Sequence, residues 1–168
     1  MRERGFTAML LACLWLTVFA GQPTVAADCD GLDAYKTDLV RTLVLRLRAM
    51  KADGLDGFYP DNPTQEALTL LADHYAALAT ELDRLDPPGG VATWHNRYID
   101  LWELDAEIAI LRAQGLSLEE AARALVPDDQ DPWADLDQER HLAIIACPDF
   151  AEFFRPLPAA TPVTTPTR

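Results

Sequence analysis

The sequence predicts an all-α protein: an up-and-down helical bundle of four longer helices plus one or two short helices, preceded by a signal peptide. Three observations predict it. Large apolar residues recur at steps of three and four over long stretches, residues with helix-start and helix-stop chemistry stand at the ends of those stretches, and no stretch shows the alternation of a half-buried strand.

The first element is the leader. Arg2 and Arg4 give a positive start, Phe6 to Ala20 form an apolar run, and after the helix-breaking Gly21 and Pro23 the small residues Val25, Ala26 and Ala27 suit signal peptidase. Residues 1–27 therefore read as a signal peptide removed before Asp28, which places the protein outside the cytoplasm, in the periplasm or at the cell exterior. The intact mass of the exported protein is expected to begin at Asp28 or within a residue or two of it. Full-length chain in membranes, or a lipid on Cys13, would contradict that reading. A retained anchor needs about 20 apolar residues to span a bilayer, more than this run supplies. The box Leu10-Leu11-Ala12-Cys13 looks like a lipidation signal, but Leu14 to Ala20 stay apolar after the cysteine.

The bundle domain is expected over residues 28–155. Leu32, Tyr35, Leu39, Leu43, Leu47 and Met50 line one face of a helix from about 31 to 53, and Gly54 suits the left-handed stop after it. Leu68, Leu71, Tyr75, Leu78, Leu82 and Leu85 form the seam of a second helix. Asn62 is its expected cap, with Pro63 in the first helical position and Gln65 as the return partner of a capping box. Pro87-Pro88-Gly89-Gly90 ends it. The third helix, about 91 to 114, carries Trp94, Tyr98, Leu101, Ile108 and Leu111 on one stripe with Ile99, Trp102 and Ile110 beside it, so it should touch more than one neighbour. Gly115 closes it. Ser117-Leu118-Glu119-Glu120 opens a short helix stopped by Pro127, and Asp131-Pro132 start a last long helix with Trp133, Leu136, Ile144 and Cys147. A short turn with Phe150, Phe153 and Phe154 is expected to pack back on the bundle. Residues 156–168, with four prolines, four threonines and few large apolar groups, read as a disordered Pro/Thr-rich tail.

Charge narrows the partners. The whole chain carries 14 basic and 27 acidic side chains; without Arg2, Arg4 and Glu3 the remainder carries 12 and 26, a formal charge of −14. Such an excess argues against nucleic acid, whose phosphates need clustered Lys and Arg, and against docking on anionic lipid. No stable membrane insertion is expected after signal cleavage. The expected partner is an unknown protein or envelope component.

Few catalytic chemistries fit. Ser117 is the only serine and stands at a helix cap, which argues against a serine nucleophile. Cys29 and Cys147 are the only cysteines outside the leader, and in an oxidising compartment they are expected to join. Helices with short connections run antiparallel, which brings the start of the first helix and the end of the last to one end of the bundle, with the two α-carbons within about 7 Å. His74, His95 and His141 lie on three helices, but none has the carboxylate spacing of a di-iron bundle and there is no His-Glu-x-x-His pair; only Asp137 and His141 share a face. Each histidine is expected to be solvated or on a helix flank. The acidic loops Asp53 to Asp61 and Asp128 to Asp137 do not fit an EF-hand and read as helix caps. Asp105, between Leu101 and Ile108, is a buried-carboxylate candidate that Arg46 could neutralise. Phe58 and Tyr59 are expected to plug an end of the bundle, and Trp94, Trp102 and Trp133 to lie in the core.

No catalytic residue, metal ligand or cofactor is assigned on these grounds. The reading is an exported acidic bundle acting as a binding or structural component of the cell exterior. The alternatives are a binder of a metal ion or small ligand and, third, a carboxylate-dependent hydrolase.

Overall fold

A computed structural model describes residues 28–58 and 62–155. The leader, Tyr59 to Asp61 and the Pro/Thr tail lie outside the described residues, and so do the readings that fall on them. Among the described residues the chain is an all-α bundle of five α-helices and one 3-10 helix, without strands: α1 (Leu32–Ala52), α2 (Gln65–Leu82), α3 (Ala92–Ala113), α4 (Leu118–Leu125), α5 (Pro132–Ala146) and the 3-10 helix Pro148–Phe154.

Glycine stops α1 and α3 in the same way. After α1, Gly54 adopts φ 82° while the Gly54 and Leu55 amides donate to the carbonyls of Lys51 and Met50 at 3.2 and 2.9 Å. After α3, Gly115 adopts φ 103° and the amides of Gly115 and Leu116 reach Arg112 and Leu111. Both are Schellman closures, and the apolar pair that accompanies the first, Leu55 with Met50, is buried. The Ser117–Glu120 capping box forms in both directions, and Asp131 caps α5 by accepting from the amides of Trp133 and Ala134 at 3.2 and 3.0 Å.

The start of α2 differs from expectation. Its cap is Thr64, whose hydroxyl accepts from the Ala67 amide at 3.1 Å, and Asn62 instead takes a left-handed conformation with φ 47°. Gln65, expected to close a capping box, donates its side-chain amide to the Ala113 carbonyl at the end of α3. A tertiary acceptor has displaced the local one. The end of α2 also comes early, at Leu82, and Leu85 packs half-buried from the following turn.

α2 and α3 form the central pair, burying Leu71, Tyr75, Leu78 and Leu82 against Trp94, Ile99, Trp102 and Ala106. α1 packs on α2, whereas α3 also packs on α4 and α5, so it touches several neighbours as its two apolar flanks predict. Ile110, expected to belong to those flanks, is exposed.

One end of the bundle is tied by several contacts. Cys29 and Cys147 form a disulfide with α-carbons 5.8 Å apart, inside the limit expected from the topology. The Gly90 amide donates to the Asp28 carbonyl at 2.8 Å, and Phe150 packs edge-on against Trp94. The start of α1, the turn between α2 and α3, and the end of α5 therefore meet there. No helix among the described residues is long and apolar enough to cross a membrane.

Candidate functional site

Two helical stripes face each other across a cleft of about 400 Å³. Leu68, Leu71 and Tyr75 of α2 supply one wall and Asp105, Ile108, Ala109 and Arg112 of α3 the other, each set recurring at the steps that align side chains along a helix. Leu118, at the start of α4, and Trp133, at the start of α5, border the same cleft with much of their apolar surface exposed. Trp133 was expected in the core; 46% of it is accessible, because the inner stripe of α5 is buried at Ala143 and Cys147 and opens toward the helix start.

Among the described residues Asn62, Tyr75, Asp105 and Arg112 bring polar side chains to the cleft. The Tyr75 hydroxyl donates to the Phe58 carbonyl, and burial, reinforced by Asp105 and opposed by Arg112, pushes its pKa well above the ordinary tyrosine value. Tyr75 therefore remains a neutral phenol in any ordinary buffer. Asp105 is buried, as its place between Leu101 and Ile108 suggests. Arg46 does not serve it: that guanidinium pairs with Glu81 and lies 3.3 Å from His74 Nδ1, bridging α1 to α2. The cation in the cleft is Arg112, two turns after Asp105 on the same helix.

Two of the histidines expected to be solvated or on a helix flank are buried instead, for a reason that only the partners explain. His74 has its Nε2 2.9 Å from Asp53, and because arginine only donates, Nδ1 accepts from Arg46 and Nε2–H donates to the carboxylate. His95 accepts the Tyr35 hydroxyl at Nδ1 over 2.8 Å and gives its other ring hydrogen to the Leu82 carbonyl. Its pKa lies below the ordinary value, mainly through burial. His141 is exposed and closes locally on Asp137, with Nδ1 2.7 Å from the backbone carbonyl.

The three histidines thus have separate partners, and among the described residues no group of three His, Cys, Asp or Glu is arranged to hold a metal ion. Asp53 and Asp131 of the acidic loops act as a helix C-cap and N-cap. Phe58 packs its ring 5.1 Å from Trp102, midway along α3 and not at the bundle end expected for it, whereas Trp94 and Trp102 are core residues as expected. No protein-family model matches the chain, nor does any curated protein or solved structure.

Proposed function

We propose that this chain is an exported binding protein whose cleft between α2 and α3 takes a small ligand with an apolar body and a polar end. The cleft itself carries the reading: its volume lies within the roughly 300–1,000 Å³ of small-molecule sites, and its walls are apolar around a few fixed polar groups. Export is supported by the leader pattern and by a disulfide of the kind that persists in oxidising compartments. The contacts at the disulfide end support an up-and-down order of the four longer helices. A hydrolase has less support, since Asp105 is the one carboxylate that the described residues bring to the cleft and glycoside cleavage uses two.

Anilinonaphthalene sulfonate, an apolar body with an anionic head, is a suitable probe. It is expected to bind the mature protein saturably with enhanced fluorescence, and Arg112→Ala is expected to weaken binding about tenfold, the loss of one charge-assisted hydrogen bond. Non-saturable binding, or equal affinity in the variant, would count against the cleft.

A further inference from the structure

On the other side of Trp133 lies a second, smaller cavity of about 180 Å³ between α3, α5 and the 3-10 helix. Its aromatic lining is Trp94, Tyr98, Trp133, Phe153 and Phe154. Three of these rings stand steeply to one another: Trp94 and Phe154 at 82°, Phe153 and Phe154 at 88°, Trp94 and Phe153 at 69°, with centroids 5.0–6.2 Å apart. Tyr98 stacks on Trp94 at 16°. The result is an aromatic corner with Trp133 at its open side.

An aromatic ring is negative on its faces and attracts a cation placed over it. This wall already does so within the chain. The Arg140 guanidinium carbon lies 5.3 Å from the Phe154 centroid, and the same guanidinium pairs with Asp137, which also lines the cavity. The site therefore combines ring faces, a carboxylate and an internal cation that uses both. The strong acidity of the chain adds a general attraction for positive ligands.

The walls also select the kind of cation. A primary ammonium entering a mostly aromatic cavity loses water hydrogen bonds that rings cannot replace, whereas a methylated quaternary ammonium has no N–H donors to satisfy and presents an apolar surface. The volume is below that of sites for drug-sized ligands and corresponds to about six waters at about 30 Å³ each, room for one head group. We propose that this corner binds a trimethylammonium group of a small soluble compound, with Arg140 as a competing internal cation. The site rests on its own observations and stands whether or not the neighbouring cleft binds a ligand.

Titration calorimetry of the mature protein with tetramethylammonium and choline chlorides, against ammonium chloride at matched ionic strength, tests it. Saturable binding of the two methylated ions is expected, with at least fivefold weaker binding of ammonium. Arg140→Ala uncovers Phe154 and frees Asp137, so it should tighten tetramethylammonium binding about tenfold. Phe154→Leu should weaken it severalfold; the exposed Asp137→Asn should do the same without risk to the core, and Arg112→Ala in the cleft should leave it unchanged. Co-sedimentation with phosphatidylcholine vesicles, lost in Asp137→Asn, would place the same head group on a lipid instead of a soluble compound. Equal binding of ammonium, or weaker binding in Arg140→Ala, would overturn the proposal.

Discussion

Removing the disulfide, by reduction or in a Cys29→Ser/Cys147→Ala variant, is expected to destabilise the protein by about 3 to 5 kcal/mol and lower Tm by roughly 10 to 20 °C. The bridge spans a sequence separation of 118 residues, and in the chain-entropy model a loop of this length restrains the unfolded chain strongly. The native state depends on it too. α1 begins at Gly31 without a side-chain cap and packs mainly on α2, so its first turns are held at the disulfide end by Cys29, by the Tyr35–His95 hydrogen bond and by the Lys36 contact with Asp149. Loss of the bridge should therefore speed amide exchange first in the N-terminal half of α1. Thermal unfolding with and without reductant measures the effect. An unchanged Tm, or two titratable thiols in the untreated protein, would contradict it.

The second large effect is expected at His95. His95→Ala should cost about 3 to 5 kcal/mol, because it opens a cavity in the core and leaves the buried Tyr35 hydroxyl without its partner. Tyr35→Phe, which removes only the donor, should cost about 1 to 2 kcal/mol. The titration of His95 adds a pH signature. Its folded-state pKa lies below the ordinary 6.5, since burial disfavours the imidazolium and only partly yields to the Leu82 carbonyl and the Asp83 charge. The unfolded chain therefore takes up the proton first as pH falls. The His95 contribution is complete above about pH 6.5 and declines as pH drops from there toward the lower folded-state value. In denaturant titrations between pH 7.5 and 5 the wild type should lose stability more steeply than His95→Gln. Parallel curves for the two proteins would show that His95 is not a neutral buried group.

What the sequence determined by itself is local in origin. Periodicity placed all the longer helices, because burial of one helical face imposes the three- and four-residue recurrence that Leu32 to Met50 and Leu68 to Leu82 display. Gly54, Gly115, Ser117 and Asp131 marked their ends, because left-handed closures and caps are satisfied within a few residues. Even the disulfide was accessible: two cysteines at the ends of the domain and helices joined by short connections leave one pairing and place both at one end.

The tertiary structure decided the choices that depend on a distant partner. His95 and Tyr35 are 60 residues apart, and nothing near either in the chain announces a hydrogen bond that makes a histidine a core residue. Arg46, the candidate partner of Asp105, pairs instead with Glu81. Gln65 left its own helix terminus for the Ala113 carbonyl, and with Asn62 in a left-handed turn the cap passed to Thr64. Trp133 shares its periodicity with core residues but begins a helix where the packing opens, and that opening creates both the cleft and the aromatic corner. Spacing along a helix fixes which face a side chain occupies; what lies opposite that face is set by how the helices pack, and the candidate sites are made of such oppositions.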